Sequence, residues 1–159
     1  MPYYPPSGSG STPTAIVLAS NFTVTTTVTD VPGMSWSLEV GEYEFYLDMS
    51  ITTGSGSVGT YPQPYFTYTG TSSSHRAAIM SYSTGNKVDS VRATQGGAAS
   101  GNVSGGAWVL SVSTIVPAWG RFWGSLVTTG SGTFTFRFGK TGDVVTTLNT
   151  YTIGNVYQT

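Results

Sequence analysis

The sequence predicts an all-β domain, an antiparallel sandwich or jelly roll, on three observations. Apolar and polar residues alternate with period two over long runs, Gly- and Pro-rich turns interrupt those runs at short spacing, and no stretch carries a 3.6-residue period. At 159 residues the chain suits one domain, long enough to bury a core without staples.

Residues 1 to 13 form an extended N-terminal arm. Pro2, Pro5, Pro6 and Pro13 prevent a helix and favour polyproline geometry. The arm has too little apolar surface to order itself, so it is expected to dock on a sister subunit, on another protein or along its own domain. The domain then runs from 14 to 159. Ala15 to Ala19 is apolar and β-branched, and in Phe22 to Thr29 the residues Phe22, Val24, Thr26 and Val28 share a face. Pro32-Gly33 reads as a turn. Met34, Trp36, Leu38 and Val40 then face one way and Ser35, Ser37 and Glu39 the other. After a turn at Gly41-Glu42, Tyr43, Phe45, Leu47, Met49 and Ile51 alternate with Glu42, Glu44, Tyr46, Asp48 and Ser50, the mark of a half-buried antiparallel strand. Further strands are predicted over Pro64 to Thr69, Ala77 to Tyr82, Val88 to Ala93, Trp108 to Val116, Arg121 to Thr128, Thr133 to Phe138 and Thr150 to Tyr157. Thr128 to Gly132 reads as the turn of a last hairpin that sets Phe134, Phe136 and Phe138 on one face. Residues 95 to 106 read as a Gly/Ala/Ser loop.

Charged residues make up 8% of the chain, against a usual share of about 25%. The net charge of -1 and six scattered basic residues argue against nucleic-acid binding, which needs clustered cations. So neutral and aromatic-rich a chain suits an assembly better than a free monomer. There are no cysteines, hence no disulfides and no thiolate metal site. No segment is apolar enough to span a membrane as a helix, and the start lacks the basic and apolar regions of a signal peptide, so synthesis in a cytoplasm is expected. Asn21-Phe22-Thr23 and Asn102-Val103-Ser104 match the glycosylation pattern by chance on that view.

The run from Thr25 through Val31-Pro32-Gly33-Met34-Ser35-Trp36 and Glu39-Val40-Gly41 to Tyr43-Glu44-Phe45 resembles a domain of tailed-phage virion proteins. There a Thr-rich strand, a "GLSF" strand, an "EAG" turn and a "YxF" strand follow in this order. Gly132-Thr133-Phe134-Thr135-Phe136-Arg137-Phe138 and Thr147 to Ile153 resemble its later strands. The resemblance covers roughly 22 to 157, with the middle poorly matched. It implies a TNF/C1q-like jelly roll that forms a homotrimer, used as a capsid decoration (cement) protein or in tails and fibres. The absence of a fibrous shaft favours decoration, with the major capsid protein as partner and the virion surface as location. The arm, with Pro2, Tyr3, Tyr4, Pro5 and Pro6, is the candidate clamp. The alternative is a receptor-binding or tail-tip module that grips host glycan. A C1q-like carbohydrate-binding protein outside any virus is a third reading.

The sequence carries no recognisable catalytic constellation, so no catalytic residue, metal or cofactor is expected. Gly54-Ser55-Gly56-Ser57-Val58-Gly59 fits GxGxxG, but Tyr61-Pro62-Gln63-Pro64 follows where a dinucleotide site needs a helix. His75 is the single histidine, after Ser72-Ser73-Ser74 in an expected surface loop, with no elbow or further ligands for a triad or zinc. Glu42, Glu44 and Asp48 lie along one strand face, not on opposing walls around a sugar. Trp36, Phe45, Trp119, Arg121, Trp123, Phe134, Phe136 and Phe138 are expected in the core or at the trimer interface. Trp119, Arg121 and Trp123 alternate on one face, which also suits a glycan platform.

Overall fold

The computed structural model describes residues 15–53, 61–83, 87–96, 118–142 and 145–159, and among them there is no helix. The strands are β1 (Ile16–Val17), β2 (Phe22–Val24), β3 (Thr29–Leu38), β4 (Gly41–Thr53), β5 (Tyr61–Tyr68), β6 (Ser72–Ser83), β7 (Lys87–Gly96), β8 (Ala118–Thr128), β9 (Gly132–Thr141), β10 (Thr146–Leu148) and β11 (Ile153–Gln158). They form an all-β antiparallel sandwich. The larger sheet runs β1-β11-β4-β8-β6-β7, with β10 on β4 beside β11 and β2 on β10; the smaller runs β3-β9-β5.

Alternation builds the core between these sheets. Tyr43, Phe45, Leu47, Met49 and Ile51 of β4, with Phe122 and Leu126 of β8, meet Met34 and Leu38 of β3, Phe66 and Tyr68 of β5, and Phe134, Phe136 and Phe138 of β9, all buried. Phe45 is the hub. Its ring centroid lies 4.8 Å from Phe66, 5.0 Å from Phe134, 5.8 Å from Phe122 and 6.0 Å from Phe136. Trp36, half-buried, stands edge-on to Phe136 at 5.6 Å. Room for Phe45 comes from Gly124, its cross-strand partner, where a Cβ would run into the Phe45 ring and the Arg76 carbonyl.

Several sequence expectations change. Pro32-Gly33 is not a turn but a bulge inside β3, where the register against β9 slips between Asp30 and Ser35 and Gly33 takes φ 75°. The expected strand Phe22 to Thr29 breaks after Val24 and resumes at Thr29 in the other sheet. Val40 does not join Met34, Trp36 and Leu38 inside; it sits at the β3–β4 connection, 59% exposed. Thr150 to Tyr157 forms a strand only from Ile153, and β10 was not anticipated. Thr128 to Gly132 does not close a hairpin: β8 pairs β4 and β6, whereas β9 pairs β3 and β5, so the turn is an arch from one sheet to the other. A tight Gly-rich turn looks the same in sequence in either case. His75 is not in a surface loop. It lies in β6, opposite Leu126 and Gly96, with 6% exposure. The serines before it read as loop, yet they begin the strand.

Pro62 and Pro64 fit β5 because it is an edge strand. The Thr69 N–H donates to the Thr133 carbonyl in the register that pairs Tyr68 with Phe134, so odd-numbered residues of β5 face β9 and the prolines face away. The arm (1 to 13), Gly54 to Gly59, the candidate strand Trp108 to Val116 and the loop beyond Gly96 lie outside the described residues.

Candidate functional site

The outward face of the larger sheet gathers the residues with the most to offer a partner. Register places them in rows. Tyr157, Glu44, Ser125 and Arg76 stand side by side across β11, β4, β8 and β6; next come Asn155, Tyr46, Trp123 and Ala78; then Val17, Ile153, Asp48 and Arg121; then Ser50 and Trp119. They lie on the sheet face opposite the core, although Ser50 and Asn155 are themselves buried.

Arg121 and Asp48 form a bidentate pair, Nε to Oδ1 at 2.5 Å and Nη2 to Oδ2 at 2.6 Å. The Arg121 guanidinium also lies 5.3 Å from the centre of the Tyr46 ring. The fork is thus held by a carboxylate and lies near a ring. Tyr157 donates to a Glu44 carboxylate oxygen at 2.6 Å, which ties β11 to β4 on the same face. Trp119 stands half in solvent at 50% exposure, Val17 is 55% exposed, and Tyr151 in the β10–β11 turn is 71% exposed. Asn155 is 3% exposed and its Oδ1 has no hydrogen-bond partner. An unsatisfied buried acceptor is rare in a finished structure.

The outward face of the smaller sheet is different in kind. Ser35, Thr135 and Thr67 align across β3, β9 and β5, and Ser37 faces Thr133. The Ser35 and Thr135 hydroxyls share a hydrogen bond at 2.9 Å. Asp30 and Arg137 pair at 2.8 Å, and the guanidinium also donates to the Val28 carbonyl.

The structure thus divides the aromatic and basic residues singled out from sequence. Phe45, Phe134, Phe136 and Phe138 lie in the core, with Trp36 at its rim, whereas Trp119, Arg121 and Trp123 lie on the outward face and not in the core. Asp48 is marked in the sequence only as a polar residue beside Glu42 and Glu44, and Tyr46, Tyr157, Ile153 and Asn155 are not marked as its neighbours, because only strand register shows which alternate residues stand beside Arg121 and Trp123. No group of three or more His, Asp or Glu side chains suited to a metal ion occurs among the described residues. No helix among them is long and apolar enough to cross a membrane. No family model and no curated protein matches the chain.

Proposed function

We propose that the chain is a structural virion protein, a homotrimeric TNF/C1q-like jelly roll that decorates and cements an assembled phage capsid. The observation that carries the assembly is the aromatic outward face of the larger sheet, with Trp119 half exposed. Trp, Tyr and Arg are the residues that anchor protein contacts, and a weakly charged chain opposes association little. The capsid assignment is supported by the sequence resemblance.

Cementing works by mass action. A protein that binds only the assembled shell stabilises it, and three arms on one trimer raise each other's effective concentration. Tyr3 and Tyr4, stiffened by Pro2, Pro5 and Pro6, bring contact area at low entropic cost. The decisive measurement is copy number in purified particles, with light scattering on the free protein. Decoration requires on the order of hundreds of copies, and a trimer three times the 16.7 kDa chain mass. Replacing Tyr3 and Tyr4 by serine is expected to leave the trimer intact and to release it from shells during sedimentation.

The half-exposed Trp119 beside Arg121 and Trp123 favours a second reading, a receptor-binding or tail-tip module for host glycan. A handful of copies per particle, with glycan binding lost in Trp119→Ala, would establish that reading over decoration.

A further inference from the structure

Two residues along from the Arg121–Asp48 pair, the outward face of the larger sheet changes character. Ser50 of β4 stands opposite Trp119 of β8. On the other side of β4, between β10 and β11, the chain turns over residues 149 to 152. The Asn149 N–H donates to the Ser50 carbonyl at 2.8 Å and the Thr152 N–H to the Asn149 carbonyl at 2.9 Å. The Ser50 N–H donates to the Thr152 hydroxyl at 3.2 Å. These bonds fix the turn to β4, so the side chains it carries are held in place. Ser50 is 2% exposed, whereas Trp119 on one side of it and Tyr151 in the turn on the other are 50% and 71% exposed. A buried hydroxyl is thus the floor of a shallow saddle whose two sides lie two strand spacings, about 10 Å, apart.

The Asn149 amide is already committed. Its Nδ2 donates to the Ser50 hydroxyl at 3.2 Å and to the Thr52 hydroxyl at 2.9 Å. Both N–H groups are used within the chain, so the oxygen Oδ1 is what the amide has left to offer a ligand. Thr52 accepts from that amide and keeps its own O–H to donate. It stands diagonally from Trp119, roughly 7 to 8 Å away across the strands. The ionic side chains next along the two strands, Arg121 and Asp48, are bound to each other. An apolar ring face with a fixed acceptor and a donor at its edge suits a small ligand that is apolar on one side and hydroxylated around its rim. An apolar peptide would leave the amide oxygen unpaired, and an anion would meet no unpaired cation among the described residues of this region.

We infer that the saddle over Ser50 binds one neutral hexopyranose residue of a glycan, with its C–H face on the Trp119 indole and its hydroxyls on Asn149 Oδ1 and the Thr52 hydroxyl. This rests on the second reading above, in which the face grips host glycan, and adds to it the class of sugar and the polar residues that select it. A sugar hydroxyl donates to Asn149 Oδ1, and a second one accepts from Thr52. A carboxylate on the sugar would lie near Asp48 with no spare cation to offset it. Trp123 stands opposite Tyr46, beyond Arg121, and is not part of this site.

Saturation-transfer NMR on the full-length protein tests the site, with methyl β-glucoside, methyl β-galactoside and methyl β-glucuronide as probes. A neutral glycoside is expected to receive saturation at its ring C–H protons, and the glucuronide is not. Trp119→Ala is expected to abolish the transfer with an unchanged melting temperature, since the ring stands half in solvent, and Trp119→Phe to keep part of it. Asn149→Ala is expected to weaken binding about tenfold. Thr52→Val, which keeps the shape and loses the hydroxyl, should weaken it several-fold, and Trp123→Ala should leave it unchanged. Preference for the glucuronide, or loss in Trp123→Ala with retention in Trp119→Ala, would overturn the site and leave the glycan reading standing. Dissociation of Trp119→Ala into 16.7 kDa monomers would overturn it by making a second copy the occupant of this face. No transfer to either neutral sugar would also overturn it, and binding of the wild-type protein to host surface polysaccharide decides separately whether the glycan reading falls with it.

Discussion

The two outward faces of the sandwich come from the same two-residue alternation, yet they are built for different neighbours. On the smaller sheet, Ser35, Ser37, Thr67, Thr133 and Thr135 present short hydroxyls that satisfy one another or water, and its ion pair sits at one end. On the larger sheet, Tyr46, Trp119, Trp123 and Tyr157 present large rings around the Arg121–Asp48 pair. Short hydroxyls hydrate well and give a partner little to hold. Rings left in water carry a cost that a partner removes. The difference teaches that alternation decides what faces out, while side-chain size and chemistry decide whether that face ends in solvent or against another chain.

The inward faces are where the two sheets are alike, and there the largest effect is expected. Phe136→Ala, which empties a fully buried site among four aromatic rings, should cost about 3 to 5 kcal/mol in chemical denaturation. The contrast between outward faces is tested next. On the proposed trimer, Trp119→Asp with Trp123→Asp should give a folded 16.7 kDa monomer in light scattering, whereas Ser35→Asp with Ser37→Asp should leave the mass of the trimer unchanged. The opposite result would assign the contact to the hydroxyl face. Arg121→Ala should lower stability by about 1 kcal/mol, since the pair it breaks is partly solvated. It should weaken assembly more, because Asp48 would then enter the contact without its counter-charge.

The smallest expected effect is a pH dependence. His75 is buried against the Phe66 ring edge at 6.0 Å with Nδ1 unpaired, and burial pushes its pKa below the usual 6.5. In the unfolded chain the imidazole binds a proton more readily than in the fold, so stability rises with pH over this range. The full stability is present above about 6.5 and falls as pH drops from there toward the folded value. His75→Leu should flatten the melting temperature across that window. An unchanged slope would mean the acid response lies elsewhere.

Much of the fold was legible because alternation is local. The run Tyr43 to Ile51 and the triplet Phe134, Phe136 and Phe138 needed only their neighbours to declare which side was buried. Pro32-Gly33 was misread because a bulge and a turn use the same residues, and only the partner strand distinguishes them. The serines before His75 are polar enough for a loop, but β8 pairs Ser72 with Thr128 and Ser74 with Val127, far along the chain. The outward face was half legible: Trp119, Arg121 and Trp123 were grouped correctly along one strand. Their neighbours across the sheet depend on register, which no single strand encodes.

The arch at Thr129 to Ser131 has a consequence for how the chain acquires its structure. From β3 onward five of the eight connections between described strands cross between sheets, and among the described strands β6 and β7 alone follow each other in sequence and also pair. Little can therefore nucleate locally; β9 finds its partners in β3 and β5 and β11 finds β4, all distant in sequence. Such a topology places formation in the slow range for domains of this size, about milliseconds to seconds. During that interval the alternating Phe strands stand open to other copies, which makes the time before the sheets meet, and not the finished surface, the point at which this chain is most exposed to aggregation.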